Sequence, residues 1–120
     1  MARKRIVFID DESVLAEMAG EMIEELGHEP VIFSSGKEAV DYFKKEYSKI
    51  DLVITDLMMP DMDGRDVIDS FLNIAPEIKI TLMTGDMLNS EIEDILRAKI
   101  YDFIEKPFNG QELRRVIDKG

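Results

Sequence analysis

Short apolar segments alternate along the chain with longer segments whose apolar residues recur every three or four positions. The short segments predict strands near 5–10, 30–33, 52–55, 79–83 and 102–105. The longer segments predict helices near 13–26, 35–46, 64–74, 90–99 and 110–119. Strands that alternate with helices indicate an α/β fold, with helices covering a parallel sheet. We therefore predict a single domain over residues 1–120.

Residues at the predicted helix ends support these boundaries. Ser35 followed by Glu38 forms a capping box, in which a hydroxyl and a glutamate three residues later satisfy free backbone N–H groups. Asn109 followed by Glu112 repeats the arrangement with an asparagine cap. Gly27 suits the end of the first helix, where a positive φ angle is favoured.

Composition narrows the class of protein. The chain has 120 residues, 45% of them apolar, and no cysteine, which excludes disulfides and cysteine zinc sites. Its formal net charge of −11 argues against direct nucleic-acid binding, which needs clustered basic residues. No apolar run reaches membrane-spanning length, and no apolar stretch of a signal peptide follows the N-terminus. We expect a cytoplasmic protein that binds neither membranes nor nucleic acid.

Polar residues follow four of the predicted strands. Asp10 and Asp11 follow the first strand, Asp56 the third, Thr84 the fourth and Lys106 the fifth. Parallel α/β sheets form their active sites at these carboxyl ends. A right-handed crossover puts the first and third strands side by side, so the three carboxylates converge. Such a group needs a cation or a proton, and its hard oxygen ligands suit Mg²⁺.

These residue types match the needs of phosphoryl transfer to a carboxylate. Asp56 is the natural nucleophile because it is central and precedes a loop. Lys106 offers a positive charge and Thr84 a hydroxyl donor for the phosphoryl oxygens. Taken alone, Asp10 and Asp11 could equally cap the first helix. The functional interpretation depends on the whole constellation.

Together these motifs resemble the receiver domain of bacterial two-component response regulators. The resemblance covers essentially the whole chain, with each motif in the expected order and spacing. The motifs are Ile9-Asp10-Asp11-Glu12, Asp56-Leu57-Met58-Met59-Pro60, Asp63-Gly64, Thr84-Gly85 and Lys106-Pro107-Phe108. The resemblance implies a flavodoxin-like (βα)5 fold with a doubly wound, five-stranded parallel sheet of order 2-1-3-4-5. General descriptions of such sheets illustrate this strand order with the same family.

The resemblance also implies roles at the metal site. Asp56 would accept the phosphoryl group from a phosphohistidine of a sensor histidine kinase. Asp11 would bind Mg²⁺ directly, Asp10 mainly through water, and Met58 through its backbone carbonyl. Mn²⁺ could replace Mg²⁺.

Further implications concern the switch. Thr84 and Lys106 would bind the phosphoryl oxygens, and Thr84 with Phe103 would form the switch. The bond before Pro107 would be cis. The fourth helix, fifth strand and fifth helix would form the output face toward a downstream protein that the sequence does not identify.

We expect a signalling module that is not an enzyme, beyond catalysing its own phosphorylation and dephosphorylation. We also expect a monomer, or a weak dimer linked to phosphorylation. Three alternatives fit the chain less well. A haloacid dehalogenase-type phosphatase requires a second aspartate at the position that Met58 occupies. In a flavodoxin-like electron carrier, Asp10 and Asp11 would repel the cofactor phosphate. A degenerate receiver that serves only as a scaffold would not keep all the site residues.

The first helix carries more apolar residues than its core face needs. That predicted face consists of Leu15, Ala19, Met22 and Leu26, with further apolar residues Val14 and Met18 beside it. Two interpretations stand equal: partial burial under a loop, or docking of the kinase's helical hairpin through Val14, Leu15 and Met18.

Several positions depart from the family pattern. Phe103 replaces the more usual tyrosine, so a switch there works by packing without a hydroxyl. Lys99 and Ile100 replace the usual Gly-Ala pair, and Ile100 fills space that an inward-turning ring would use. Met58 and Asp86 occupy the variable positions that influence dephosphorylation in the family. The single histidine, His28, is predicted to lie solvated in a loop.

Overall fold

The computed structural model describes residues 3–56, 63–85, 94 and 96–120. Within these residues the strands are β1 (Arg5–Ile9), β2 (Glu29–Phe33), β3 (Leu52–Asp56), β4 (Lys79–Thr84) and β5 (Asp102–Glu105). The helices are α1 (Ser13–Glu25), α2 (Gly36–Glu46), α3 (Gly64–Ile74) and the C-terminal helix (Gly110–Lys119), with a 3₁₀ turn at Tyr47–Lys49. The strands are parallel and lie in the order β2-β1-β3-β4-β5, which confirms the predicted fold class.

Helices cover both faces of the sheet because successive strand residues point to opposite sides. On one face, strand residues such as Val53 and Leu82 pack with the apolar sides of α2 and α3. On the other face, Phe8 and Ile54 pack with α1 and the C-terminal helix. Burial on both faces explains why the central strands are almost continuously apolar.

The predicted helix at 90–99 lies mainly outside the described residues. Of its described positions, 94, 96 and 97 are helical, and Leu96 is buried in the core beside α3. Elsewhere the predicted caps are present. The Ser35 hydroxyl accepts from the Glu38 N–H at 3.3 Å, and the Asn109 side chain accepts from the Glu112 N–H at 2.9 Å.

The predicted core face of α1 was partly wrong. The fully buried residues of α1 are Ala16, Ala19, Gly20 and Ile23, whereas Leu15 is only partly buried. The small residues of α1 lie on its buried side, and Gly20 lies next to the edge strand β2. A Cβ atom at Gly20 would lie 3.4 Å from a side-chain carbon of Ile32 in β2.

The prediction that His28 is a solvated loop histidine was wrong. His28 is 5% exposed, and its Nδ1 accepts a hydrogen bond from the Lys4 backbone N–H at 3.0 Å. Gly27, with φ of 89°, turns the chain after α1 so that His28 points inward. The imidazole therefore joins the start of β1 to the connection between α1 and β2. Among the described residues, no helix has the length and apolar character needed to cross a membrane.

Candidate functional site

Three carboxylates meet at the carboxyl edge of the sheet. Asp10 and Asp11 follow β1, and Asp56 is the last residue of β3. Since β1 and β3 are hydrogen-bonded neighbours with Ile9 opposite Thr55, Asp10 lies beside Asp56. One carboxylate oxygen from each of the three aspartates lies within 4.8 Å of the other two. The predicted convergence of the acids is therefore present in the structure.

The three acids differ in burial. Asp10 is fully buried, the Asp56 side chain is 13% exposed, and Asp11 is exposed. Asp10 Oδ1 accepts from the Glu12 N–H at 2.9 Å, and Glu12 is the N-cap residue of α1. This bond, two residues along the chain, accounts for one oxygen of Asp10 but is not a side-chain cap of α1. The second oxygen contacts Lys106, which also contacts Asp56.

Lys106 joins two of these acids. Its Nζ lies 2.6 Å from Asp10 Oδ2 and 2.8 Å from Asp56 Oδ2, with a longer contact of 4.0 Å to Glu12 Oε1. Lys106 directly follows β5, and its backbone N–H donates to the Thr84 carbonyl at 2.8 Å. The following bond, to Pro107, is cis. Strands β1, β3, β4 and β5 thus all contribute to one small site.

Burial and charge act against each other at this site. Burial raises the pKa of Asp10 because desolvation disfavours the charged form, and the contact with Lys106 offsets this effect only in part. Burial alone would lower the pKa of Lys106, but its bonds to Asp10 and Asp56 outweigh burial and raise it. The ammonium stays charged at neutral pH and is the cation that holds the acids together.

The donor set fits a hard divalent cation. Asp10 Oδ2 is buried and forms an ion pair with Lys106 Nζ at 2.6 Å. A buried carboxylate oxygen beside two further carboxylates is the all-oxygen environment that Mg²⁺ prefers. One ammonium does not neutralise three carboxylates. Asp10, Asp11 and Asp56 could therefore hold Mg²⁺.

Thr84 and Phe103 lie on one face of the sheet. Leu82 and Phe103 are opposite each other in the β4–β5 ladder, and Thr84 comes two residues after Leu82. Residues two apart in a strand point to the same side, so Thr84 is the diagonal neighbour of Phe103. The Phe103 ring is partly buried against the same core cluster as Ile100. At Gly85 a Cβ would meet no atom of the described residues within 4 Å.

Other predicted residues lie away from this edge or outside the described part of the chain. Met58 and Asp86 belong to the undescribed residues. On α1, Val14 is 71% exposed and Met18 is 48% exposed, so of the two equal interpretations this exposure disfavours partial burial under a loop. Leu15 is partly buried between them and the core.

Two residues with no predicted role contact this region. Glu12 approaches Lys106, and its position directly after two aspartates could have indicated a fourth acid at the site. Arg97 places its guanidinium 4.7 Å from the centre of the Phe103 ring. No sequence motif signals that contact, because it depends on how the residues before β5 pack on the sheet.

The fold and the acidic site define the class of protein, a receiver domain of two-component signalling. The chain belongs to the response regulator receiver domain family, whose sequence model matches residues 6–118. It is similar to chemotaxis protein CheY of Thermotoga maritima, at 30% identity over 117 residues covering 97% of this chain and 96% of that protein. It is also 31% identical to CheY of Bacillus subtilis over 116 residues, covering 96% and 95%.

A solved structure supports the same fold. The CheY-like receiver domain protein of Methanospirillum hungatei superposes with a TM-score of 0.89 at 24% identity, covering 98% of this chain and 93% of that one.

Proposed function

We propose that this receiver domain accepts a phosphoryl group on Asp56 from the phosphohistidine of a sensor histidine kinase. The observation that carries the proposal is the position of Lys106 Nζ, 2.8 Å from Asp56 and 2.6 Å from Asp10, with Asp11 close by. Because the Lys106 ammonium already contacts the acceptor carboxylate, it needs to move only a short distance to bind an oxygen of the incoming phosphoryl group. Phosphoryl transfer needs mainly this kind of positioning and charge stabilisation.

The transfer itself requires little further chemistry from the protein. An oxygen of the ionised Asp56 carboxylate forms the new bond to phosphorus while the phosphorus–nitrogen bond of the phosphohistidine breaks, and the electron pair returns to the imidazole. Asp56 is 13% exposed, so an incoming phosphohistidine can reach it. Lys106 and the Thr84 hydroxyl would then bind phosphoryl oxygens, since Lys106 is already joined to the Thr84 carbonyl.

The acids also support a metal requirement. Asp10, Asp11 and Asp56, with the carbonyl of Met58, would hold Mg²⁺ or Mn²⁺. When bound, the ion would neutralise negative charge on the acids and on the phosphoryl group. Asp10 is oriented for this role by the Glu12 N–H, which fixes one of its oxygens and leaves the other in contact with Lys106.

The proposed output is a conformational change and not turnover of an external substrate. Thr84 and Phe103 would form the switch, which changes the face made by the predicted helix at 90–99, β5 and the C-terminal helix. The partner at that face is a downstream protein, and we propose a cytoplasmic location and a monomer or weak phosphorylation-linked dimer. The diagonal placement of Thr84 and Phe103 on one sheet face supports the coupling.

The direct test is intact-mass measurement after incubation with Mg²⁺ and acetyl phosphate. We expect the mass gain of one phosphoryl group, which chelation of Mg²⁺ and the Asp56→Asn variant both prevent. The matched control is Asp51→Asn, an acid at the opposite end of β3 that accepts from the Arg5 N–H and lies away from the site. A gain that persists in Asp56→Asn would rule out Asp56 as the acceptor.

Kinase docking on α1 is a second part of the proposal. Val14 and Met18 are exposed apolar residues on the helix that begins beside the site, with Leu15 partly buried next to them. Met18→Lys should slow transfer from the kinase while leaving the reaction with acetyl phosphate unchanged. Glu24→Lys, an exposed change on the same helix, is the control. Equal slowing with both donors would refute docking.

A further inference from the structure

Phe103 is contacted by an arginine from each side of β5. The Arg97 guanidinium lies over its ring, with Cζ 4.7 Å from the ring centre. Arg115, on the C-terminal helix, donates from Nη2 to the Phe103 carbonyl at 3.3 Å and from Nη1 to Asp102 Oδ2 at 2.8 Å. Asp102 Oδ1 in turn accepts from the Phe103 N–H at 2.8 Å. Both the ring and the backbone of this one residue are therefore held.

These contacts tie the edge strand of the sheet to the C-terminal helix. β5 ends the sheet, so its outer backbone groups have no neighbouring strand. Asp102 and Arg115 occupy the N–H and the carbonyl of Phe103, and Lys119 adds a contact to Asp102 at 3.5 Å. The backbone of β5 is thereby tied to the C-terminal helix at the residue that follows Asp102.

The contact of Arg97 with the Phe103 ring helps to fix the position of that ring. Phe103 has no hydroxyl, so its position is set by packing on the core cluster and by the cation above the ring. A guanidinium over an aromatic ring is attracted by the ring's negative face. Because Thr84 is the diagonal neighbour of Phe103, a shift of Thr84 toward a phosphoryl group on Asp56 changes the space beside this ring.

We propose that Arg97 and Arg115 are positioning residues that clamp Phe103 in the unphosphorylated arrangement, and that the clamp opposes the switch. This inference rests on the proposed function of Asp56. The Lys106 ammonium here contacts Asp10 and Asp56, and a phosphoryl group on Asp56 would draw it away, so the clamp accompanies the contacts that phosphorylation would change. A ligand shifts an equilibrium between two conformations only if it binds one of them more tightly. Destabilising the clamped conformation therefore increases the population of the other conformation, and with it the apparent affinity of any ligand that prefers the other conformation.

The test uses beryllofluoride, a phosphoryl stand-in that binds an aspartate carboxylate, titrated calorimetrically in Mg²⁺. Loss of an exposed cation–aromatic contact in Arg97→Ala should tighten binding by about two- to five-fold. Arg97→Lys keeps a cation and should restore most of the wild-type affinity. Phe103→Leu removes the ring, so adding Arg97→Ala to it should change the affinity by less than about 1.5-fold. Arg114→Ala is the control, because Arg114 faces Asp118 on the same helix turn and not Phe103.

A second measurement addresses Arg115. Arg115→Ala should also tighten beryllofluoride binding and should speed amide hydrogen exchange at Phe103, since Asp102 loses the closer of its two basic partners. Unchanged or weakened binding in both arginine variants would overturn the clamp. If the wild-type chain binds no beryllofluoride, or if Asp56→Asn binds it equally well, the proposed function fails and the clamp fails with it. Wild-type binding without any response to Arg97 overturns the clamp alone.

Discussion

Removal of the Lys106 ammonium should make the thermal stability of the protein depend on Mg²⁺. In Lys106→Met the side-chain volume is kept, but buried Asp10 and nearly buried Asp56 lose the cation that lies within 2.8 Å of both. Leaving an uncompensated buried charge typically costs 3–5 kcal/mol. Since the Lys106 and Asp56 side chains retain 14% and 13% exposure, we expect about 2–3 kcal/mol at neutral pH without metal. For a chain of this size that corresponds to a fall in Tm of roughly 10 °C.

Mg²⁺ should restore much of this loss, because a cation that binds only the folded state stabilises it, and increasingly so as its concentration exceeds its Kd. In the wild type the ammonium already neutralises part of the site, so added Mg²⁺ should raise Tm less than in the variant. The assay is thermal unfolding at pH 7 with EDTA or with Mg²⁺. Lys99→Met is the matched control: its surface pair with Asp69, at 2.9 Å, should be worth less than about 1 kcal/mol and show no Mg²⁺ effect.

The pH dependence provides an independent check of the same reasoning. Burial raises the pKa of Asp10 above its usual 3.8, so its contribution to stability is full below pH 3.8 and is lost as pH rises through the higher folded value. Without Lys106 the charged form is less favourable still, so the deficit of Lys106→Met should shrink as the solution is acidified toward pH 4. A variant as stable as the wild type in EDTA, or equal Mg²⁺ shifts in both proteins, would refute the argument.

Three further changes test other parts of the fold by urea unfolding. His28→Leu leaves the partly buried Lys4 N–H without its acceptor and should cost about 1 kcal/mol, and an unchanged midpoint would contradict the assigned hydrogen bond. For Asp102, burial raises the pKa, but bonds from the next N–H and from basic residues of the C-terminal helix outweigh it and lower the pKa below 3.8. Asp102→Asn should therefore cost about 1 kcal/mol at neutral pH, a difference that disappears as pH falls through the lowered value. Gly20→Ala should stabilise by about 0.5–1 kcal/mol through helix propensity, whereas Gly27→Ala, at φ 89°, should destabilise.

The elements that sequence predicted well are those with a strong local pattern. Apolar strands followed by polar residues located β1 and β3 and brought Asp10, Asp11 and Asp56 to one edge, because strand ends in a parallel sheet share that edge. Caps at Ser35 and Asn109 fixed two helix starts for the same reason: the hydrogen bond forms within four residues. Local chemistry of this kind needs no knowledge of tertiary packing.

The errors fall where packing overrides local pattern. The helical spacing of α1 did not reveal that Ala16 and Gly20, and not Leu15, face the sheet, because the side that a helix buries depends on its packing against the sheet. The same holds for His28, whose loop-like neighbours predicted exposure although its ring accepts from a strand 24 residues away. Contacts across such distances in sequence have no local signature.

Lys106, directly after β5, connects the acidic site to the sheet. Its ammonium binds the acids after β1 and β3, while its backbone N–H binds the Thr84 carbonyl at the end of β4. A displacement of the ammonium toward a phosphoryl oxygen would therefore pull on a residue whose backbone is part of the β4–β5 ladder. Glu105 is opposite Thr84, and Phe103, held by its two arginines, lies two residues before Glu105 on the same face. Charge at Asp56 and packing at Phe103 are thus connected through Lys106 and Thr84, and the Arg97 variants measure the strength of that connection.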